Sequence, residues 1–454
     1  MKVSKSDIYT RRSTIASIKF EDQKLTSFSG LVVFQKLFDR FGLRERLKVA
    51  CSHLDRGRSY RFNIVAELLI VHVLLGFRKL REIDFYRDDP IVKLLLRLKR
   101  LPGVATVSRM LAEFDSESVE NHQEVNRGIV ADRLRQAGLR RVTLDFDGSV
   151  QSTRRHAEGT AVGFNKKKKG TRSYYPLFCT VAQVGEVFDV HHRSGNVHDS
   201  NGAKEFVLRC VRYVRRHVPG AVIEVRMDSA FFCDDLVEML DAEGVEYTIS
   251  VPFMRFTKLK GFVQARKAWW WMNQSVGYFE KRWKPESWNK QARFLFVRKA
   301  VTVQHKGPIQ LDMFEPQEHG YEFKVIVTNK TLSARKVVKY HEGRGYQENI
   351  FSELKSQGAM EYIPVRKWAG NKIYLLCNIL AHNLGRELQM QAHEATRSTS
   401  EKRTPLWIFS GLDALRRTFI LRAGRITNPG GVRTLTMSGN EAVERTLREY
   451  LMAA

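Results

Sequence analysis

The sequence predicts an α/β protein that opens with a helical, basic region and carries a β-rich stretch late in the chain. Three observations predict it: helical apolar spacing up to about residue 138, strand alternation opening at Val142, and loss of helical period between about Arg255 and Lys330. At ~100–200 residues per domain, 454 residues make two to four folded units with room for a sizeable core.

The elements follow in order. Leu31, Val32, Phe34, Leu37, Phe38, Phe41, Leu43 and Leu47 fall at helical spacing, and Phe62 to Leu80 makes a second, more buried helix. A third pattern runs from Ile91 to Leu98, Pro102-Gly103 breaks it, and Thr106 to Leu111 starts another helix. Helix, break and helix with basic edges fits either a DNA-binding helix-turn-helix or a plain helical hairpin, and no base-reading residue separates the two. After Arg141, strands are expected at Val142 to Phe146, Leu177 to Val184 and Val187 to His191, the last two turning at Gly185. A helix at Asn201 to His217, a strand at Ala221 to Met227, a helix at Cys233 to Ala242 and a strand at Tyr247 to Val251 complete the alternation. Aromatics and short apolar runs (Phe294 to Val297, Val301 to Val303) then take over. Helices return at Gly345 to Gln357 and Asn371 to Gln391, and the tail ends with a turn at Pro429-Gly430-Gly431 and a helix near Glu441 to Leu451.

Composition narrows the function. Hydrophobic residues at 43% and charged residues at 28% describe an ordinary soluble globular chain. The 76 Lys and Arg against 49 Asp and Glu leave a net charge of +27, which points to a polyanionic partner, most often nucleic acid. Nuclease, polymerase, transposase and repressor stay open, and most small-molecule enzymes recede. Five scattered cysteines (Cys51, Cys179, Cys210, Cys233, Cys377) without a C-x-x-C pair argue against a disulfide framework or structural zinc. No apolar run follows the basic N-terminus, and Ile64 to Phe77 is shorter than the ~20 residues that span a bilayer, so a cytoplasmic location without membrane partners is expected.

Three segments could carry chemistry. In LDFDGSV, alternation sends Thr143, Asp145 and Asp147 to one face of a strand, and two buried carboxylates there call for a metal or cation; Gly148 and Ser149 leave space beside Asp147. The plainer reading is turn chemistry at a strand end. In VIEVRMDSAFF, Asp228 ends a second strand, where it could meet Asp147 beyond the sheet's carboxyl edge or simply cap the next helix. In YHEGRGYQENIFSELKSQG, Arg344, Glu348 and Lys355 fall within about 40° of one another on a helix. Their stripe adjoins the apolar Ile350, Phe351 and Leu354 rather than opposing it. Alone, that spacing fits an ordinary surface ion pair.

Taken in chain order, these segments resemble the DDE transposases of bacterial insertion sequences, in the group with a Tyr-x-x-Arg-x-x-x-Glu-x-x-x-x-x-x-Lys signature and a β-strand insertion before the catalytic Glu. Asp147 in FDGS, Asp228 in RMDSAFF and Glu348 match the three acids, with Arg344 and Lys355 at the signature spacing. Lys166 to Leu177, RSGNVHDSNGA at Arg193 to Ala203, and Asn371 to Leu384 add supporting matches. The signature tyrosine position holds His341, with Tyr340 one residue early. The resemblance implies an RNase H-like catalytic domain in which the three acids hold two Mg²⁺ (or Mn²⁺) ions ~3.5–4 Å apart for strand hydrolysis and then strand transfer. It also implies that Arg344, Lys355 and Tyr340 contact DNA, and that the cut end passes through a hairpin.

Five of the seven tryptophans, Trp269, Trp270, Trp271, Trp283 and Trp288, are interleaved with Lys267, Lys281, Arg282, Lys284 and Lys290. Such a mixture suits stacking of unstacked nucleotides, with Trp269, Trp270, Trp271 and Trp288 the candidate platforms, and suits equally the core of a small β-domain. Lys166, Lys167, Lys168 and Lys169 are candidate phosphate contacts or a solvated loop. The expected division is a helical DNA-binding region (1–138), a catalytic domain in two parts (139–253 and 331–395), a β-rich insertion (254–330) and a C-terminal region for dimerisation or DNA contact (396–454). The expected partners are double-stranded DNA, as element ends and target, and a second copy in a synaptic homodimer. The rival readings are an RNase H-like endonuclease that does not join strands and a non-catalytic DNA-binding protein.

Overall fold

The computed structural model describes residues 18, 21, 23–55, 57–163, 168–197, 201–300 and 320–454. After a short strand β1 (Leu25–Thr26) come six helices: α1 (Leu31–Arg40), α2 (Leu43–Ala50), α3 (Phe62–Leu74), α4 (Pro90–Leu95), α5 (Val104–Glu113) and α6 (Ser116–Gln136). Gly42, at φ +56°, turns the chain between α1 and α2 in the left-handed conformation that glycine adopts without strain. Asp89 caps α4 ahead of Pro90, and Asp115 caps α6. Nearly every residue of α3 is buried, as its mostly apolar sequence requires, and its polar Asn63, Glu67 and His72 are buried with it.

The α/β part contributes β2 (Arg141–Gly148), β3 (Gln151–Thr153), β4 (Ala161–Val162), β5 (Arg172–Tyr174), β6 (Leu177–Val181), β7 (Glu186–His191), α7 (Ala203–His217), β8 (Val222–Met227), α8 (Asp234–Ala242) and β9 (Glu246–Val251). It continues with α9 (Thr257–Gln264), β10 (Trp270–Asn273), β11 (Val276–Trp283), β12 (Ala292–Ala300), β13 (Tyr321–Thr328), α10 (Ala334–Glu342), α11 (Tyr346–Ser356) and α12 (Trp368–Ala392). The strands β14 (Gly424–Thr427) and β15 (Thr434–Met437) and helix α13 (Glu441–Ala453) close the chain. Among the described residues, nine strands form one mixed sheet in the order β10-β11-β12-β13-β9-β8-β2-β6-β7. β2 and β9 run parallel to β8, while β6 runs antiparallel to β2 and folds back on β7 through Gly185.

The β-rich stretch does not stand apart. β13 pairs antiparallel with β9, with Val325 opposite Val251, and so prolongs the same sheet along an edge that would otherwise leave its hydrogen bonds unmade. It also contains a helix, α9, where the sequence showed no helical period. With eight residues and two buried positions, Leu259 and Val263, the segment is too short for a period to emerge.

α12 is buried along most of its length and joins the sheet to the N-terminal helices. Glu387 accepts a bidentate pair from Arg133 of α6, from Nε at 3.0 Å and from Nη2 at 2.5 Å, and Asn126 of α6 and Asn383 of α12 both donate to the Val187 carbonyl at the sheet edge. One apolar core runs from α1 through α6 into α11, α12 and α13, so the first and last stretches of the chain pack together. Between α12 and β14 the chain crosses one face of the sheet, where Leu406 N–H donates to the Gln183 carbonyl at 2.8 Å. No described helix is long and apolar enough to cross a membrane.

Candidate active site

The site grows out of the parallel register of β2 and β8. Asp145 stands opposite Arg226 and Phe146 opposite Met227, so Asp147 and Asp228 come next, side by side at the carboxyl ends. Alternation along both strands stacks three polar pairs on one face. Deepest, Thr143 donates to Glu224 at 2.9 Å, and Glu224 also accepts from Lys330 (2.7 Å), Arg141 (2.7 Å) and Arg403 (3.0 Å). Against the pull of burial, Arg403 and Lys330 hold the Glu224 carboxyl at about 2. In the middle, Arg226 grips Asp145 with two bonds of 2.5 and 2.7 Å and donates to the carbonyls of Tyr340 (2.8 Å) and Lys402 (2.6 Å). The sequence leaves Asp145 available to a metal site; the structure commits both of its oxygens to Arg226.

At the open end, Asp147 Oδ1 accepts from the Gly148 N–H and Oδ2 from Arg344 Nη1, both at 2.7 Å. Burial raises the Asp147 carboxyl, Arg344 opposes the rise, and the charge of Glu348 adds to it. Glu348 stands in the first turn of α11, and Arg344 in the tight turn Gly343–Gly345 that joins α10 to α11. Asp228 accepts the Ala230 N–H at 3.0 Å and caps the turn Ser229–Phe231, as its plainer reading expected, while keeping its place beside Asp147. Lys355 lies in the last turn of α11, 4.0 Å from Glu361. The geometry thus brings Asp147, Asp228, Glu348 and Arg344 to one end of the sheet.

Other expectations change. The space foreseen over Gly148 is filled by Tyr175: a Cβ there would lie 2.5 Å from the phenol oxygen, and Arg193 packs over that ring at 5.3 Å. Tyr340 does not face DNA. It is 1% exposed, its ring enclosed by Arg226, Lys330 and Arg403, because the polar column needs a cover. His341, at the signature tyrosine position, is buried between Ser250 (2.8 Å) and Thr248 (2.9 Å). Trp288 is not a stacking platform in this fold, since its ring is buried against Phe232 and Phe294. Trp270 and Trp271 are exposed on the outermost strand, while Trp269 packs edge-on against Phe279. Arg298 lies over the rings of Trp269 (4.6 Å), Trp271 (4.8 Å) and Tyr321 (4.8 Å). β10 is six strand steps from β2, roughly 29 Å along the sheet at ~4.8 Å per step, so the tryptophan run is not beside the acids of its own chain. Lys168 and Lys169 sit in an exposed turn; Lys166 and Lys167 lie outside the described residues.

Two residues at this end escaped the sequence reading. Desolvation and then the charge of Arg344 lower the ammonium of Lys324, an exposed residue of β13 just beyond its pairing with β9. A single lysine in a strand gives no signal until β13 is known to pair with β9. Tyr175 is the other, and the glycine after the first acid was its trace.

Acids at the carboxyl ends of parallel strands, an arginine between them and a large positive charge make up an enzyme that works on a polyanion. The chain belongs to the family described as transposase DDE domain, group 1, whose sequence model matches residues 10–451. It is accordingly a DNA transposase, which breaks and joins DNA strands. No curated protein matches by sequence. Among solved structures it is similar to the piggyBac transposase synaptic complex with hairpin DNA, at 12% identity and a TM-score of 0.44, over 94% of this chain and 85% of that one. It is also similar to the Mos1 transposase paired-end complex with left transposon end, at 10% identity and a TM-score of 0.17, over 42% of this chain and 60% of that one.

Proposed function

We propose that Asp147, Asp228 and Glu348 are the acids of a cut-and-paste transposase with an RNase H-like catalytic sheet. The observation that carries this reading is their convergence at the ends of β2 and β8 with Arg344 on the Asp147 carboxylate. The strand order β7-β6-β2-β8-β9, with only β6 antiparallel to its central neighbour β2, supports the fold assignment.

Among the described residues, no three acid, His or Cys side chains are gathered at metal-holding spacing, and Arg344 occupies one oxygen of Asp147. The donor set nevertheless fits hard divalent cations: carboxylate oxygens only, with a desolvated Asp147 that already demands a positive partner. Asp147, Asp228 and Glu348 would hold Mg²⁺ or Mn²⁺, two per site, which when bound stabilise charge on the attacking and leaving oxygens of a phosphodiester. Arg344, released from Asp147, turns its fork to a phosphate, and Lys324 and Lys355 add positive charge along the same approach. Incubating labelled element ends with Mg²⁺ and a plasmid target tests the reading. Joined product is expected; nicks without joining would make the chain an endonuclease, and binding without nicks a DNA-binding protein.

Because burial raises the Asp147 carboxyl, it sheds its proton at higher pH than a surface aspartate. Nicking at fixed Mg²⁺ is therefore expected to climb with pH through and above the ordinary carboxylate range. A rate already level at the acid end of a pH series would remove Asp147 from the metal site.

The tryptophan run bears on the hairpin step, which needs an unstacked base; stacking can offset that cost at ~1–3 kcal/mol per base. At roughly 29 Å along the sheet from their own acids, Trp270 and Trp271 serve an end cut by the second copy of a synaptic homodimer. Trp270→Ala with Trp271→Ala should slow hairpin closure on pre-nicked ends about tenfold, the order of one stacked base, and leave the first nick unchanged. A time course with equal hairpin rates would assign both residues to the sheet edge alone.

A further inference from the structure

We propose that a cleft between α5, the chain leaving β3 and residues 363–366 is the track for the phosphate backbone of the duplex flanking the cut. The inference rests on the transposase reading of the acids. The cleft encloses about 580 Å³ and is lined by Arg109, Arg155, His156 and Arg366, with Ser108 and Ala112 on its helical wall and no carboxylate. All four cationic or titratable side chains are exposed.

The grouping of its cations and its position both single out this cleft. Several arginines of the N-terminal region are neutralised by carboxylates: Arg58 by Glu113 at 2.5 Å, Arg44 by Glu67 at 2.8 Å, and Arg127 by Asp189 at 2.9 Å. Arg109, Arg155 and Arg366 have no carboxylate partner among the described residues, so their charge is uncompensated and faces solvent. Three guanidinium groups around one open cleft attract an extended polyanion. The helical wall favours close approach, since Ser108 and Ala112 keep the groove side of α5 small beside Arg109 while Val107, Met110 and Leu111 anchor the helix inward.

The cleft is also built from the segments that follow two of the acids. β2 ends just after Asp147 and leads through β3 to Arg155 and His156. α11, which carries Glu348, leads into the loop ending at Arg366. Gln151 of β3 ties the two segments together by donating to the Met360 carbonyl at 2.7 Å. Arg155 is eight residues beyond Asp147, at most ~28 Å of extended chain, or about eight base pairs of duplex axis at ~3.4 Å per pair. A strand whose scissile phosphate lies at the acids passes the cleft within one helical turn.

The test is duplex affinity over a salt series, read by anisotropy of a labelled random-sequence duplex. Three proteins are compared: wild type, Arg109→Ala/Arg155→Ala/Arg366→Ala, and Arg212→Ala/Arg215→Ala/Arg216→Ala, which removes the same charge from α7. For three lost phosphate contacts the slope of log affinity against log salt should fall by about 2.7, at ~0.9 per contact. Affinity at low salt should fall at least tenfold, and the α7 variant should follow wild type. An unchanged slope, or an equal fall in the α7 variant, would overturn the track. Failure of the transposase reading is visible separately, as a wild-type protein that binds duplex but gives no Mg²⁺-dependent nick.

Discussion

Asp147→Ala, Asp228→Ala and Glu348→Ala are each expected to lose at least ~10³-fold in nicking rate, about 4 kcal/mol of barrier, while duplex affinity stays near that of wild type. On the proposed reading each carboxylate would supply oxygen ligands to the cations that stabilise the transition state, and no neighbouring acid could substitute. Asp145 is held by Arg226, and Glu224 lies deeper in the column under three cations. Affinity comes from the basic surfaces, which these changes leave alone. Arg344→Ala should cost less, since on the proposed reading it would remove one phosphate contact while freeing an Asp147 oxygen. The sharpest of the set is Asp228→Ala. As a turn cap alone, it would cost ~1 kcal/mol of stability and no chemistry. A folded Asp228→Ala protein that nicks at the wild-type rate would return Asp228 to that structural role.

The local part of this site was legible in the sequence. Strand alternation placed Asp145 and Asp147 on one face, and the strands and helices from Val142 to Val251 were readable because each carries its own apolar period. What stayed hidden depends on pairings far apart in the chain. Nothing near Asp145 announces Arg226, which meets it only through the parallel register of two strands separated by a helix. The β-rich stretch looked self-contained because its partner, β9, precedes it across α9. Tyr340 looked like a displaced signature tyrosine, yet three cations from β8, the end of β13 and the crossing segment enclose it. Trp288 shows the limit of composition: aromatics among lysines describe a nucleotide platform and a β-domain core equally well, and packing against Phe232 decides for the core.

The second large effect separates the two aspartates of β2. Asp145→Ala is expected to destabilise the fold by about 3–5 kcal/mol, because it leaves the Arg226 guanidinium charged and without its counterion in a fully buried position. Arg226 is also the only described side chain donating to both the Tyr340 and Lys402 carbonyls, so it ties α10 and the crossing segment to the sheet. Gly343 leaves no slack in that tie, since a Cβ there would stand 2.2 Å from Arg226 Nη1. Loosening it moves the turn that carries Arg344. Replacing both partners by apolar residues of similar volume removes the buried charges together, and should recover part of the loss. The recovery stays incomplete, because the Lys402 carbonyl loses its Arg226 donor and the Tyr340 carbonyl keeps only the Gly343 N–H. Urea unfolding of Asp145→Ala, Asp147→Ala and the Asp145→Leu/Arg226→Met pair reads these outcomes side by side. Asp147→Ala should unfold close to wild type while failing to nick, and Asp145→Ala should unfold early. An Asp145→Ala protein as stable as wild type but inactive would move Asp145 out of the structural column and into the metal site.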